Sequence, residues 1–279
     1  MRPELQKKVD FAIKLLQSIP NDEPIEVSYS SGKDSDVILE LAKMAGINYR
    51  AIYKNTTIDP IGTIKHCKEN GVEVMQPKKT FFDMVKKKGP ATRRARFCCE
   101  ILKEYKVLDR AVQGIRKCES RARAERYKEP EICRVYSAKS KVKIYLPILE
   151  WSDEDVAEFI AERNIKCHPL YYDEQGNFHV ERRLGCIGCP LQGDRGKKDF
   201  LQYPKFLKQL IRSAQIYLDT HPHVRAVEKF GNVYNMVFHN LFCESYAEYQ
   251  ILIGGGMFPE TAIDAKKFME EYFGIDLTI

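Results

Sequence analysis

The sequence predicts an α/β protein with a doubly wound, mainly parallel sheet, followed by a helical C-terminal extension. Two observations lead to this fold class. Short apolar segments with strand periodicity alternate with amphipathic helical segments through the first part of the chain. From about residue 190 the helical period continues without intervening strands. Because alternating strands and helices build parallel sheets, we expect an α/β domain at residues 1–190 and the extension at residues 191–279.

The predicted helices of the α/β domain place apolar residues three or four positions apart, on one face. They cover residues 1–18, 36–44, 61–70, 81–88, 99–109 and 152–163. Gly71 and Gly89 end two of them, and Ser152 caps the last, with Asp155 three residues further on. The predicted strands, in which β-branched and aromatic residues recur, cover residues 25–30, 49–53, 72–75, 111–115 and 141–146. In the extension, helices are expected at residues 200–218, 224–238 and 261–273.

Composition narrows the class of protein. The chain has 279 residues, with 44% hydrophobic and 30% charged residues, which is typical of a soluble globular protein. No segment is apolar enough to span a membrane, and the first ten residues carry charges of both signs rather than a signal-peptide core. Nine cysteines in such a chain indicate a reducing, cytoplasmic location, where thiols and metal ligands are more common than disulfides. The sequence leaves the oligomeric state open.

The most distinctive pattern is a split set of four cysteines. Cys98 and Cys99 are adjacent, and Cys186 and Cys189 form a Cys-x-x-Cys pair. Two close pairs separated by a long loop are typical of a four-thiolate metal site. Zinc usually takes ligand pairs two or more residues apart, whereas a 4Fe–4S cluster presents separate irons to adjacent thiolates. The set therefore favours a cluster, and the alternative is four buried cysteines that pack as small apolar residues.

A second pattern, Ser-Ser-Gly-Lys-Asp-Ser at residues 30–35, lies between the first predicted strand and the following helix. Small residues let backbone N–H groups approach an anion, and the helix N-terminus adds its dipole. Lys33 and Ser35 have side chains that can contact phosphate oxygens. The spacing is not that of a Walker A loop. The pattern indicates a phosphate-binding loop, and the alternative is an ordinary turn with a capped helix.

Arginine is concentrated in the middle of the chain, and its forked guanidinium suits phosphate or sulfate. Arg116 and Arg123, with Glu119 and Ser120 between them, follow a predicted strand end, where the phosphate loop also opens. We expect these four residues to belong to an anion site. The other arginines in the middle of the chain are Arg93, Arg94, Arg96, Arg121, Arg126, Arg182 and Arg183. A solvated helix face explains Arg121 and Arg126 equally well.

Residues 30–35 resemble the PP-loop of the ATP-pyrophosphatase superfamily, usually Ser-Gly-Gly-Lys-Asp-Ser. Ser31 stands at the first glycine, a substitution that we expect to be tolerated if this residue does not need a positive φ. In order along the chain, further segments resemble the adenylyl-sulfate and phosphoadenylyl-sulfate reductase family over residues 25–191. These segments are residues 55–59, 114–123, 147–160, 168–171 and 185–190.

The resemblance implies a nucleotide site and a 4Fe–4S cluster. The implied nucleotide-binding residues are Ser30, Ser31, Gly32, Lys33, Asp34, Ser35, Thr57, Asp59, Gly114, Arg116, Glu119 and Ser120. The implied catalytic residues are Lys33, Arg116 and Arg123, which would neutralise the phosphosulfate and the departing AMP. The implied cluster ligands are Cys98, Cys99, Cys186 and Cys189. The substrate would be adenylyl sulfate, phosphoadenylyl sulfate or ATP, and the products of sulfonucleotide reduction would be sulfite and AMP.

The chain departs from the reductase pattern near its end. Reductases of the family that act on adenylyl sulfate use a cysteine in Glu-Cys-Gly-[Leu/Ile]-His and a thioredoxin-like donor, and this chain has only Cys243 in that region. We expect Cys243 to be a packing residue. An alternative is an ATP-dependent sulfurtransferase acting on a nucleic acid, as in tRNA thiolation or DNA phosphorothioation. The nucleic acid could then contact basic residues of the extension: Lys197, Lys198, Lys205, Lys208 and Arg212. A third alternative is a non-catalytic nucleotide-binding subunit.

Overall fold

The computed structural model describes residues 1–137, 140–256 and 258–279, and within them the chain forms two compact units. The first unit contains Met1–Asn55, Pro60–Pro77 and Leu102–Gly185. The second unit contains Thr56–Asp59, Lys78–Ile101 and Cys186–Ile279. Each unit is therefore assembled from segments that are distant in sequence. The domain boundary expected at residue 190 stays a prediction.

Among the described residues, the first unit contains a six-stranded sheet. Its strands are β1 (Ile25–Tyr29), β2 (Tyr49–Lys54), β3 (Glu73–Met75), β4 (Arg110–Val112), β5 (Glu131–Ser137) and β6 (Ser140–Tyr145). The strand order is β3-β2-β1-β4-β6-β5. All pairs are parallel except β5 with β6. The mainly parallel sheet with helices between its strands confirms the predicted fold class.

Six of the α-helices in the described residues begin at a residue whose side chain caps the first turn, and five have glycine as the C-cap. In chain order they are α1 (Pro3–Gln17), α2 (Lys33–Ala45), α3 (Thr63–Glu69), α4 (Phe81–Lys88), α5 (Phe97–Leu102), α6 (Arg121–Arg126), α7 (Asp153–Glu162), α8 (Asp194–Gln202), α9 (Pro204–Thr220), α10 (Arg225–Phe230), α11 (Val233–Phe242), α12 (Tyr246–Gly254) and α13 (Ala265–Phe273).

The sheet has a topological switch point between β1 and β4. The chain leaves β1 towards β2 and β3 on one side and returns with β4 on the other side. In open α/β sheets, ligands bind outside the carboxyl ends of the strands at such a point. Residues 30–35 follow β1, and residues 114–116 follow β4. Both sequence patterns that indicate an anion site therefore lie at this edge of the sheet.

The core of the first unit lies between β1 and the helices α1, α2 and α7. Leu5 and Leu16 of α1, Val37 of α2 and Phe159 of α7 are all fully buried in one apolar cluster. Val27 of β1 belongs to the same cluster. Burying such a side chain stabilises the fold by roughly 1.5–3 kcal/mol each. This packing holds β1 and the start of α2, and thus the loop between them, in a fixed position.

The second unit is mostly helical, with α4 packed on α9 and α11 packed on α9 and α13. Aromatic rings dominate the contact between α11 and α13: Phe268 meets Phe238 and Phe242 edge to face, with ring centroids 5.5 and 5.1 Å apart. Such pairs add roughly 0.5–1.5 kcal/mol beyond the area they bury. In the described residues, no helix has both the length and the apolar character needed to cross a membrane.

Several predicted elements differ from those observed. The helix predicted at residues 99–109 is wrong beyond Leu102, where the chain turns and the Tyr105 carbonyl accepts a hydrogen bond from Lys54. The strand β5 was not predicted, because its pairing with β6 at the sheet edge is a tertiary feature. The predicted helix at residues 200–218 breaks at Pro204, which lacks an N–H to continue α8.

The other helices of the extension are also shorter than predicted. Gly231, with a φ of 69°, ends α10 inside the predicted helix at residues 224–238. The last helix begins only at Ala265, where the Asp264 side chain accepts a hydrogen bond from Lys267 N. The helix α12 was not predicted; Gly254, Gly255 and Gly256 at its end weaken the helical pattern.

Asp155 offers a test of how α1 and α7 are joined. Its carboxylate accepts hydrogen bonds from Lys8 Nζ (2.5 Å), Arg2 Nη2 (3.1 Å) and the Ser152 amide (2.9 Å). Burial raises the pKa of Asp155, but these hydrogen bonds and the nearby cations outweigh burial and hold the pKa below its ordinary value. Its stabilising contribution is therefore present above about pH 4 and is lost as the pH falls through the folded-state pKa.

We expect Asp155→Asn to lower the free energy of unfolding by about 1–3 kcal/mol at pH 7, because charge-assisted hydrogen bonds are lost. The difference from wild type should shrink as the pH is lowered from 5 towards 2. Urea unfolding across this pH range measures it. Glu154→Gln, on the exposed side of the same first turn, is the control and should stay close to wild type. A pH-independent difference would contradict the assigned role.

Candidate functional site

The loop at residues 30–35 is closed by its own hydrogen bonds. The Ser35 hydroxyl donates to the Gly32 carbonyl (2.7 Å) and accepts from the Ser30 amide (3.1 Å). Gly32 is the N-cap of α2 and provides no side-chain cap. The first-turn amides of a helix have no intrahelical acceptor, so such a start can receive an anion. A Cβ at Gly32 would lie 3.2 Å from Ser30 Oγ and 3.4 Å from the Tyr171 hydroxyl, a tight fit.

Ser31 has a φ of 59°, in the left-handed region. The condition under which the serine was expected to be tolerated, a residue that does not need a positive φ, is therefore not met. Two contacts to α3 hold the residue there: Ser31 Oγ donates to the Thr63 carbonyl (3.3 Å) and lies 3.2 Å from Cys67 Sγ. The side chain thus supplies anchoring that glycine lacks, while the backbone adopts the conformation that glycine would favour.

A chain of ion pairs joins the loop to the segment after β4. Asp34 lies 3.4 Å from Lys33 Nζ and accepts a hydrogen bond of 2.7 Å from Arg116 Nε. Arg116 also donates to Asp153 (2.7 Å), and only 1% of Arg116 is exposed. Burial lowers the pKa of Arg116, but Asp34 and Asp153 outweigh burial and raise it. A Cβ at Gly114 would lie 2.8 Å from the Asp34 carbonyl, so only glycine permits this approach.

Arg123, Glu119 and Ser120 form the neighbouring part of the site. Glu119 is paired with Arg123, and the Ser120 hydroxyl accepts from the Arg123 amide (3.2 Å) as the cap of α6. Arg183 reaches the Glu119 carbonyl (3.3 Å). Burial and the charge of Arg183 lower the pKa of Arg123. Two guanidinium groups thus lie near a single carboxylate. The excess of positive charge favours the binding of an added anion. Arg183 was part of the arginine concentration but was not predicted as a site residue.

A buried polar layer supports the loop from below. The Asp36 carboxylate accepts from the Tyr29 hydroxyl and from His66 Nε2 (3.0 Å), and burial raises the pKa of Asp36. Burial and the neighbouring His66 lower the pKa of His168 to about 4, so His168 is neutral at pH 7. This layer was not predicted. The only sign of it in the sequence is a polar residue on the apolar face of a helix, and a solvent-exposed position would account for such a residue equally well.

Two cavities in the first unit share part of their lining, and the smaller one reaches the loop. One, of about 220 Å³, is lined by Ser30, Lys54 and Glu26 among others, and the second has about 450 Å³. They share Gln113 and Arg134. Small-molecule sites typically occupy 300–1,000 Å³. The two cavities together have room for a nucleoside next to a phosphate held by the loop.

The structure places the other predicted site residues in the second unit. Cys186 Sγ lies 3.5 Å from Asp59 Oδ1 and 3.6 Å from Thr56 Oγ1, and the Ile187 amide donates to the Ile58 carbonyl (2.7 Å). Thr57, with a φ of 65°, accepts a hydrogen bond from the amide at the start of α4 (2.9 Å). Asp59 therefore contacts a predicted cluster ligand. Nucleotide binding by Thr57 and Asp59 stays a prediction.

The four predicted cluster ligands all belong to the second unit. A hydrogen bond to Cys99, burial and the proximity of Cys186 raise the pKa of Cys98, which places three of the thiols near one another. Cys189 follows Cys186 in a turn whose Gly188 has a φ of 70°. Thiols are the donors that iron–sulfur clusters use, so the chemistry of the set fits. In residues 1–137, 140–256 and 258–279, however, no group of three or more His, Cys, Asp or Glu side chains is arranged to hold a metal ion.

Cys243 is half-buried at the C-cap of α11. Burial and the charge of Glu248 raise its pKa to about 11, so the thiol is protonated at pH 7. Glu244 is adjacent to Cys243 in sequence, but Glu248 is the carboxylate that raises the pKa of this thiol. A protonated thiol is a poor nucleophile. The geometry agrees with the expectation that Cys243 packs rather than reacts.

The fold is that of an α/β protein, and the loop makes the switch point of its sheet a candidate anion site. Residues 24–192 match the phosphoadenosine phosphosulfate reductase domain. The chain belongs to this family of PP-loop proteins. A protein of Escherichia phage 186, named as an uncharacterized 37.8 kDa protein in the gpa 5′ region, is 34% identical over 134 residues. This match covers 42% of the present chain and 37% of the phage protein, so the chain spans little more than a third of that relative.

Two solved structures are also similar. Phosphoadenylyl-sulfate reductase from Candida auris, in a phosphate complex, has 15% identity and a TM-score of 0.41, over 64% of this chain and 97% of that one. The U34-tRNA thiolase NcsA from Methanococcus maripaludis, solved with its 4Fe–4S cluster, has 15% identity and a TM-score of 0.44, over 79% of this chain and 80% of that one.

The strained position in the loop can be tested by a pair of substitutions at Ser31. Ser31→Ala keeps the positive φ and loses both side-chain contacts, and should lower the free energy of unfolding by about 1–2 kcal/mol. Ser31→Gly loses the same contacts but also removes the cost of the left-handed conformation, roughly 1–2 kcal/mol. We expect the glycine variant to be more stable than the alanine variant by about 1 kcal/mol. Urea unfolding measures the free energy of unfolding of both variants. Equal values for the alanine and glycine variants would refute the positive φ at this position.

Proposed function

We propose that this protein is an adenine-nucleotide-dependent enzyme of sulfur metabolism that resembles adenylyl-sulfate reductase and converts a sulfonucleotide into sulfite and AMP. The substrate would be adenylyl sulfate or phosphoadenylyl sulfate; the second would leave adenosine 3′,5′-bisphosphate in place of AMP. The observation that carries the proposal is the junction at the switch point, where Asp34 binds both Lys33 of the loop and Arg116 of the segment after β4. Membership of the reductase-domain family supports a nucleotide substrate.

The loop would bind the α-phosphate of the nucleotide. The uncapped start of α2 supplies amides, and Lys33 supplies a charge. Lys33 is 3% exposed, which strengthens its interaction with an anion relative to water. Because an ammonium group has three donor hydrogens, Lys33 can keep Asp34 and still donate to a phosphate oxygen. The cavities beside Ser30 would receive the nucleoside.

The two predicted catalytic arginines receive different roles. Arg116 is buried between Asp34 and Asp153, and we assign it to positioning Asp34 and, through it, Lys33. Arg123 is 40% exposed at the side chain and has a second guanidinium nearby, so it would contact the sulfate. Glu119 and Ser120 would orient Arg123. Charge that develops on AMP as it leaves would be stabilised by Lys33 and the loop amides.

The reaction would proceed by attack of a thiolate on the sulfate sulfur. The bond between that sulfur and the phosphate oxygen breaks, AMP keeps the electron pair, and a thiol S-sulfonate forms. A second thiol of a thioredoxin-like dithiol donor then displaces sulfite, and the donor becomes a disulfide. Cys243, with its raised pKa, is a weak candidate for the first thiol. The attacking thiol would then come from the donor itself.

The four cysteines Cys98, Cys99, Cys186 and Cys189 would hold a 4Fe–4S cluster. When bound, such a cluster would order the segments that carry the thiolates and add electrostatic stabilisation near an anion. The adjacent pair and the Cys-x-x-Cys pair in one unit support this assignment.

A second candidate function is ATP-dependent sulfur transfer to a nucleic acid. The observation that favours it is the protonated, half-buried state of Cys243 together with the missing Glu-Cys-Gly-x-His motif. In this reaction the loop would bind ATP, an oxygen of the acceptor would be adenylated with release of pyrophosphate, and sulfide-level sulfur from a donor would then displace that oxygen as AMP. Lys33 and the loop amides would have the same role as in the first candidate.

A nucleotide-product assay on anaerobically purified protein tests the proposal. Sulfite and AMP from adenylyl sulfate plus a dithiol donor would support the first candidate. AMP and pyrophosphate from ATP, only with a nucleic acid present, would support the second. Binding without turnover of any of these nucleotides would refute both. Lys33→Ala should weaken nucleotide binding by about 1.5–3 kcal/mol, because a charge-assisted bond is lost. Lys43→Ala, at the exposed far end of α2, is the matched control for calorimetry.

The cluster assignment predicts a brown, oxygen-sensitive protein with about four irons and four sulfides per chain. Cys186→Ser should lose the iron and the visible absorbance. Cys133→Ser, at an exposed cysteine of β5, should keep both and serves as the control. Metal analysis and absorption spectra of protein made with ample iron provide the measurement. Stoichiometric zinc without visible absorption would overturn the assignment.

A further inference from the structure

The segment at residues 78–96, called here the basic segment, concentrates positive charge. It has eight cationic side chains against one carboxylate, a net charge of +7, whereas the whole chain has a net charge of +6. The rest of the chain is therefore slightly acidic. The cationic residues are Lys78, Lys79, Lys86, Lys87, Lys88, Arg93, Arg94 and Arg96. All of them belong to the second unit.

Most of these cations have no carboxylate partner. Lys86 pairs with Asp83 (3.0 Å), but in the described residues none of the other seven has a carboxylate oxygen within 4.0 Å. All seven are exposed. Outside the segment, some exposed arginines are paired, as in Arg50 with Glu73 (2.6 Å) and Arg163 with Glu40 (2.8 Å), and others are exposed without a carboxylate partner among the described residues. The basic segment differs from this surface because seven exposed cations without a carboxylate partner are concentrated between residues 78 and 96.

Two lysines of the segment are close enough to repel each other. Lys87 lowers the pKa of Lys79, through both a side-chain contact and its charge. Lys79 precedes α4 and Lys87 lies near its end, so the fold brings together charges that are separated in sequence. Such a like-charge pair is unfavourable in the free protein, and a bound anion would relieve it.

Helix electrostatics explain only part of the segment. The cations at residues 86–88 lie in the last turn of α4, where the helix dipole favours them. Lys78 and Lys79, however, lie just before the N-cap Thr80, where the dipole disfavours positive charge. The arginines at residues 93–96 likewise precede the first turn of α5. A role outside the fold explains these positions better than helix stability does.

The composition of the segment selects the kind of partner. A protein interface has an apolar core that is depleted in charge, and no large hydrophobic side chain of the basic segment is exposed. Nucleic-acid interfaces are more polar and much more positive, because the partner is a row of phosphates. We infer that the basic segment binds the phosphate backbone of a nucleic acid. The inference rests on the second unit alone and goes beyond the proposed nucleotide chemistry; under the second candidate function it would hold the acceptor.

The test is fluorescence anisotropy with labelled single-stranded RNA, single-stranded DNA and duplex DNA, in the absence of adenine nucleotide. The full-length quadruple variant Lys79→Ala, Lys87→Ala, Arg93→Ala and Arg94→Ala removes four charges of the segment. The matched control removes four exposed lysines of α1 and α3: Lys7→Ala, Lys14→Ala, Lys65→Ala and Lys68→Ala. Both variants change the net charge equally. Adenine-nucleotide binding and the melting temperature of each variant report on folding.

We expect wild type and control to bind at about 50 mM salt with a steep salt dependence. The quadruple variant should lose at least about tenfold in affinity, and its slope of log affinity against log salt should fall by about 3, since each single-strand phosphate contact contributes about 0.7. Equal binding by the quadruple variant and the control would overturn the inference, as would no binding by wild type. Binding of polyglutamate as tight as that of the oligonucleotides would assign the segment to an acidic protein instead. None of these outcomes depends on whether the nucleotide-product assay succeeds.

Discussion

The carboxylate of Asp34 is the interaction on which the site of the first unit depends. It lies at the start of α2, and it holds Lys33 at 3.4 Å and Arg116 at 2.7 Å. Without it, two buried cations would face each other across the switch point of the sheet. With it, the strand ends of β1 and β4 are connected by charge as well as by backbone pairing. A carboxylate in a first helical turn is also favoured by the helix dipole.

Glycine and serine complete this junction through sterics rather than charge. Gly114 leaves no space for a Cβ next to the Asp34 backbone, so the segment after β4 can approach the loop. Ser31 takes a left-handed conformation, and its hydroxyl binds α3, which also supplies His66 to the buried pair with Asp36. Strain in the loop is thus balanced by contacts to elements that do not touch an anion. Conformations of this kind persist only where the surroundings over-determine them.

The second unit has a different electrostatic character. Three of its cysteines, Cys98, Cys99 and Cys186, lie near one another, and Cys186 also contacts Asp59, so deprotonating several of these groups together is unfavourable without a cation. The same unit carries the basic segment, with seven exposed cations that lack carboxylate partners among the described residues. The group of thiols beside Asp59 and the positive charge at residues 78–96 are therefore local features, which the modest net charge of the chain does not reveal.

The sequence by itself determined the fold class, most helices and strands of the first unit and the reductase-domain family, because these depend on periodicity and on the order of short motifs. It also indicated that residues 30–35 and 114–123 would meet, since both follow strands that end at one edge of a parallel sheet. Tertiary structure decided what those residues do there. Arg116 became a buried partner of two carboxylates, Ser31 needed a positive φ, and the layer around Asp36 formed under the loop. Such features depend on which side chains are close in space, and neither local propensity nor spacing along the chain contains that information.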